Sequence, residues 1–346
     1  MLIMISEEAN RVHKEAVVID THCDSLGYVL RGERTLRERN SQGHVDFPRL
    51  REGGITAQVF ASGIHVFGSR SSQPTQLFLR MADAFYRELE VCENLALPAT
   101  TNADIMRAKQ EGKVAAILGM EDGAPIAGDL GILRMFYRLG LRVVCLVWGP
   151  KNEIGDGVSK RVDPGNGLTP FGISLIAEMN RLGMLIDVAH LNEKGFWDVV
   201  EHSGDPFIDS HANARRLYDH PRNLTDEQIR AVAQKGGVVH ALFTFLDANP
   251  AHATLERLLD HIEYMVDLVG PAHVGIGSDI DGLSAGAPTG IEDATCFPRI
   301  TNGLLSRGFH ESAVKAILGG NFLRLFGMVT ERNPPLKTPL EVQTSG

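Results

Sequence analysis

The sequence has 346 residues, 43% hydrophobic and 22% charged, with a formal net charge of −9. This composition is ordinary for a soluble globular protein, and the length is too great for a compact sandwich but natural for one large α/β domain with insertions. The acidic balance argues against a nucleic-acid partner, because phosphate binding needs a basic face. No run of about 18 apolar residues appears and the N-terminus lacks a signal-peptide pattern, so no membrane span is expected. The four cysteines form no CxxC pair and mostly sit in apolar runs. They read as reduced, buried thiols, and the expected location is the cytoplasm.

The first apolar run, Ala16 to Ile19, ends abruptly in Asp20-Thr21-His22-Cys23-Asp24. A buried parallel strand finishing at a site looks like this. His22 and Asp24, two apart in an extended chain, point to one side, while Cys23 points away into packing. Arg31 to Asn40 is expected to be loop with some helix. Asp46 opens a short helix with Pro48 in its first turn, closed at Gly53-Gly54. Ile55 to Ile64 is a second strand, and Gln76 to Leu95 a long amphipathic helix. Thr101 caps a helix that stops at Gly112. Val114 to Met120 is a third strand, ending in Glu121-Asp122-Gly123. A helix over Leu130 to Leu139 leads to a fourth strand, Leu141 to Trp148. A helix over Thr169 to Leu182 leads to a fifth, Met184 to His190. A helix over Glu193 to His202 leads to a sixth, Pro206 to His211. Thr225-Asp226-Glu227-Gln228 is a capping box for a helix to Lys235. Gly237 to Phe245 is a seventh strand, Leu255 to Val269 a helix, and His273 to Asp279 an eighth strand. Residues 299 to 327 read as helices packed outside the barrel, and the tail 331–346 as irregular.

Roughly eight strands alternating with helices predict a parallel sheet closed as a (β/α)₈ TIM barrel. A doubly wound open sheet would need a glycine-rich phosphate loop after the first strand, and none is present. The whole chain, 1–346, is therefore expected to be one barrel domain, with its core over about 16–282, a helical extension over about 299–327 and the tail beyond.

Barrel active sites lie at the C-terminal ends of the strands. Those ends supply His22 and Asp24, then Glu121, His190, His211 and Asp279. One histidine at a strand end is more often a hydrogen-bonded residue than a ligand; six convergent metal-competent side chains are a different matter. Three histidines and three carboxylates suit two ions better than one. Glu121 can bridge with its two oxygens, His22 and Asp24 completing one side and His190 and His211 the other. The mixed nitrogen and oxygen donors fit Zn²⁺, with Mn²⁺ or Co²⁺ as substitutes. Two ions about 3.5 Å apart would share and acidify a bridging hydroxide. Asp279 is then left to move its proton to the leaving group. Arg215, Arg216 and Arg222 follow the sixth strand, and any of them could clamp a substrate carboxylate.

The stretches VIDTHCDS, HVDFPRLREGGITAQVF, EGKVAAILGMEDG, DVAHLN, DSHANAR with HPRNLTDEQI, HVGIGSDIDG and GGNFLRLF together resemble the zinc dipeptidases of the membrane (renal) dipeptidase type, in their soluble bacterial form. The resemblance covers about residues 16 to 327. It implies an amidohydrolase-like barrel with a binuclear zinc site on His22, Asp24, Glu121, His190 and His211. It also implies Asp279 as acid/base, Arg222 as the carboxylate clamp, a homodimer, and hydrolysis of small dipeptides, often with a D-residue at the C-terminal position. Two departures stand out. Glu121-Asp122-Gly123-Ala124 replaces the family's frequent Glu-Gly-Gly-His. The fourth strand ends Leu146-Val147-Trp148 where well-studied members have Leu-Thr-His. Indole neither binds a metal nor carries a proton, so Trp148 is expected only to line the substrate pocket, with Asn152 downstream as a further substrate contact.

The rival reading keeps the site and changes the bond, to the amide of an N-acyl amino acid or to a phosphoester, as in phosphoesterases of the amidohydrolase type. Related barrels often begin with His-x-His and place lysine on the fourth strand; this chain has neither, which favours the dipeptide. A third reading, a non-catalytic binding protein, conflicts with the intact ligand set. His240 is expected as a packed barrel residue, His65 as a possible pocket contact, and His44, His252 and His261 as surface or packing residues.

Overall fold

A computed structural model describes residues 4–63, 73–149, 151–158, 165–283 and 286–331. His65 and the tail beyond Glu331 lie outside the described residues. The centre is a parallel sheet of nine strands, β1 (Ile19–Cys23), β2 (Ala57–Gly63), β3 (Ala96–Pro98), β4 (Val114–Glu121), β5 (Val143–Cys145), β6 (Leu185–Asp187), β7 (Ile208–Asp209), β8 (Val238–Ala241) and β9 (Val274–Ile276). Apart from β3 they follow one another in sequence order around the barrel, each pair parallel, with helices in the crossovers. This is the expected (β/α)₈ architecture.

Each strand but β3 is buried on both faces. Ile19, Val59, Ile117, Val143, Leu185, Ile208 and Val238 pack together inside the barrel. Their neighbours Val18, Phe60, Leu118, Val144, Ile186 and Val239 face the surrounding helices. Strands read as continuous apolar runs for this reason.

The C-terminal region departs from expectation. Phe322, Leu325, Phe326 and Val329 of the helix Asn321–Thr330 belong to the inner cluster of the barrel. That helix closes the barrel floor instead of packing on the outer wall, and Asn321 Nδ2 fixes it by donating to the carbonyls of Pro271 and Val274 (2.6 and 2.8 Å). The stretch Glu311–Thr330 is long and apolar enough to cross a bilayer, but 61% of its apolar window is buried within the fold.

Three local readings also change. β3 was not visible as a strand; its three residues pair with the lower half of the β4 edge that β5 occupies above. Helix follows Asp24 directly, at Ser25–Leu30, and residues 31–40 contain none. A helix over Glu7–Glu15 packs against Phe297–Ser306, with buried His13 bridging Thr301 Oγ1 and the Gly53 carbonyl. The capping boxes at Thr101 and Thr225 form as the sequence predicts.

The seam between β9 and β1 is held largely by side chains. Thr21 Oγ1 donates to the carbonyl of Ile276 in β9 at 3.2 Å. The Asp20 carboxylate accepts from Ser278 N and Oγ at 2.8 and 2.6 Å. One backbone bridge, Cys23 to Ile280, completes the closure.

Candidate metal centre

The site begins with an irregularity in β1. Asp20 pairs with Gln58 and Cys23 with Phe60, so two β1 residues, Thr21 and His22, stand against the single residue Val59. Ile19 faces the barrel interior while Cys23 packs outward. The extra residue inverts the alternation, as a bulge does, and thereby aims His22 and Asp24 inward. Asp24 then becomes the N-cap position of Ser25–Leu30 but makes no side-chain cap bond. Its carboxylate faces the cavity above the barrel.

The other donors come from strand ends far apart in sequence. Glu121 is the last residue of β4. His190, His211 and Asp279 follow β6, β7 and β9 within a few residues. His190 and Asp279 have φ of 67° and 60°. Left-handed backbone costs a side-chain-bearing residue about 1–2 kcal/mol, and such strain concentrates at functional sites. Gly282 is required for space: a Cβ there would strike Asp24 Oδ2 and Asp279 Oδ1.

All three histidines converge on one oxygen. Glu121 Oε1 lies 3.0 Å from His190 Nε2, 3.5 Å from His22 Nε2 and 3.7 Å from His211 Nε2. His22 Nε2 is also 4.0 Å from Asp24 Oδ2 and 3.9 Å from Asp279 Oδ1. His190 Nε2 and His211 Nε2 face each other at 3.0 Å. The tightest donor groups are His22 with Glu121 and His211, and His22 with Asp24 and Asp279. The Ser210 hydroxyl meets His211 Nδ1 at 2.7 Å, which leaves Nε2 turned to the centre.

The electrostatics describe a cavity that wants a cation. Burial disfavours charge on His22, but the carboxylates of Glu121, Asp24 and Asp279 outweigh it and push its pKa up to about 10. Burial, followed by the negative charge of Asp24, holds Asp279 well above the usual carboxylate range. Burial and then Arg222 bring His190 down to about 3, and burial and then His22 lower His211 far below its ordinary value. Neutral imidazoles are the form that ligates metals. Among the described residues His22 Nε2 is buried with no hydrogen-bond partner, which a metal bond would satisfy. The residues present fit a divalent metal centre.

Beside this centre lies a cavity of about 440 Å³, lined by Asp24, Glu121, Trp148, Arg222, Phe245 and Asp279 among others. Arg222 donates from Nη2 to the His211 carbonyl at 3.1 Å, while its Nε is buried and unpartnered among the described residues. Trp148 stands with its ring 6.1 Å from that of His190. Asn152 is not among those lining residues; its Nδ2 donates to Asp122 Oδ1 and the Leu146 carbonyl and its Oδ1 accepts from the amides of Ile154 and Gly155. Its capacity is spent on building the loop after β5. Cys23, Cys92, Cys145 and Cys296 are all free and buried. His240 packs within the barrel, its Nδ1 on the Asp209 carbonyl at 2.9 Å. Sequence reasoning passed over Asp20, Ser210, Gly282 and Phe245; only their closeness to the motifs DTHCD, DSH and SDIDG marked the first three.

A parallel eight-stranded barrel with histidines and carboxylates converging above its C-terminal strand ends defines a metal-dependent hydrolase of the amidohydrolase-like class. More narrowly, the chain belongs to the membrane dipeptidase family, Peptidase family M19, whose model matches residues 6–339. It is a peptide-bond hydrolase of the metallo-dipeptidase type. Among curated proteins, the dipeptidase aclJ of Aspergillus oryzae is 32% identical over 299 residues, 83% of this chain and 70% of that protein. The crystal structure of the metallopeptidase dipeptidase AC superposes with a TM-score of 0.84 at 31% identity, covering 91% of this chain and 98% of that one. A metallopeptidase from Rhodobacter sphaeroides, solved with a phosphinate mimic of the dipeptide L-Ala-D-Ala, superposes with a TM-score of 0.85 at 30% identity, covering 91% and 100%.

Proposed function

We propose that this enzyme is a binuclear zinc dipeptidase that hydrolyses small dipeptides with a free C-terminal carboxylate, including those ending in a D-residue. The observation that supports it best is the convergence of three histidine Nε2 atoms within 3.7 Å of one Glu121 oxygen, beside an unpartnered buried Arg222 Nε. His22 and Asp24 would hold one ion and His190 and His211 the other, with Glu121 shared between them. Divalent cations bound there would supply Lewis acidity to the scissile carbonyl and the attacking water; Mn²⁺ or Co²⁺ could replace zinc.

The chain's own residues do the rest. Arg222 Nε pairs with the substrate carboxylate and sets the amide in place. Asp279, raised in pKa by burial and Asp24, takes a proton from the attacking water and gives it to the departing amine nitrogen as the C–N bond breaks. The hydroxyl goes to the carbonyl carbon, so the products are two amino acids. The test is a panel of L,L and L,D dipeptides with metal-loaded protein, with and without a chelator. Chelator-sensitive hydrolysis is expected; a panel left intact by loaded protein contradicts the proposal.

A further inference from the structure

Phe245 is the odd residue of the cavity. It is a large side chain at φ 52°, a conformation in which a bulky residue is an outlier. Two neighbours enforce it. Asn223 Nδ2 donates to the Phe245 carbonyl at 3.0 Å, and the His220 ring stacks on the phenyl ring at 4.0 Å with the planes 12° apart. The ring nevertheless stays half-buried, with one side on the substrate cavity. Strain that the surroundings impose and that leaves an apolar face in a cavity points to a ligand.

The same His220 also sets the arginine. Its Nδ1 accepts the Arg222 backbone N–H at 3.2 Å. One imidazole therefore ties the aromatic wall to the residue whose Nε awaits a carboxylate. In a dipeptide the carboxylate and the C-terminal side chain share one α-carbon. Whatever lies beside the carboxylate clamp meets that side chain and not the N-terminal one.

We infer that Phe245, held by His220, is the wall of the subsite for the C-terminal side chain, and that dipeptides with apolar C-terminal side chains are the preferred substrate class. The inference rests on the dipeptidase reading above. Phe245 is a specificity residue, and His220 a positioning residue acting through it and through Arg222. Each added methylene in such a pocket changes discrimination by about 10-fold or more, so the preference is large enough to measure.

The experiment compares kcat/KM for L-Ala-Gly, L-Ala-Leu and L-Ala-Phe, each of the last two with an L or D C-terminal residue, alongside Gly-, Leu- and Phe- at the N-terminal position before Ala. The zinc-loaded enzyme is expected to favour Leu or Phe over Gly at the C-terminal position by about 10-fold or more. F245A should bring that ratio below about threefold, and F245L should keep most of it. For the histidine, H220N keeps an acceptor for the Arg222 N–H but removes the stacked ring, so the ratio should fall. H220F keeps the ring and loses the acceptor, so the ratio should hold while KM rises for every substrate. A ratio near one in the wild type, a ratio unmoved in F245A, or a change confined to N-terminal preference overturns the subsite. Loss of all dipeptide hydrolysis in the loaded wild type instead removes the dipeptidase reading, and the subsite falls with it.

Discussion

At the scale of single residues, the chemistry depends on where carboxylates are allowed to sit. In the proposed assignment Asp279 carries no ligand duty, and burial with Asp24 beside it raises its pKa. An Asp279→Asn variant should retain its metal yet lose about 10²–10⁴-fold in kcat. Steady-state kinetics with metal analysis of the same sample check this, and turnover within threefold of wild type would remove the acid/base role. Gly282 makes room for Asp24 and Asp279 together. Gly282→Ala should displace both and weaken metal binding by about 10–100-fold, comparable to losing a partner of a ligand. Competition with a chromophoric chelator measures it, and unchanged affinity with an intact fold would refute the close-approach argument. Residue identity made the convergent cluster legible in the sequence, because several His, Asp and Glu at strand ends of one barrel meet on one rim. It did not make Phe245 legible. Nothing in Leu242-Phe243-Thr244-Phe245 indicates which phenyl ring enters the core and which turns to the cavity. Asn152 shows the complementary limit: its sequence position could not show that its side chain bonds within its own loop.

At the scale of elements, the sequence identified the eight barrel strands and most of their helices through apolar runs and glycine stops. It missed β3, whose Ala-Leu-Pro has neither length nor period. The β1 irregularity was equally invisible, since it lies in the pairing of two strands distant in sequence. The role of the last helix needed tertiary contacts as well. Phe326 is fully buried in the barrel floor. Phe326→Ala should cost about 3–5 kcal/mol of stability while kcat per folded molecule stays near wild type, read by denaturant titration and active-site counting. A loss below about 1 kcal/mol would mean the floor is not part of the core. His261, on the helix Leu255–Val269, accepts the Ala214 N–H and contacts the Leu246 carbonyl. Burial lowers its pKa to about 4 from 6.5. Between those values the unfolded chain binds the proton and the folded chain does not, so stability from this group falls as pH falls. The advantage of wild type over His261→Gln should therefore shrink by roughly 3 kcal/mol between pH 7 and pH 4. Parallel denaturation curves at the two pH values test it, and a constant difference would contradict a buried neutral imidazole.

At the scale of the whole molecule, topology is the agent that assembles the site. His22 and Asp279 are 257 positions apart in the chain, yet β1 and β9 are neighbours across the seam, joined by Thr21, Asp20 and the Cys23–Ile280 bridge. A sequence reader who trusts the barrel can place every strand end on one rim, which explains why the donor set was readable before any coordinates. The central claim is that this rim holds two catalytic metals and cleaves dipeptides. The most direct measurement is hydrolysis of L-Ala-D-Ala by chelator-stripped protein during stepwise addition of zinc. The account predicts no activity without metal and a rise that saturates at about two equivalents per chain, as a two-metal site requires. Saturation at one equivalent, or no hydrolysis at any loading, would contradict it.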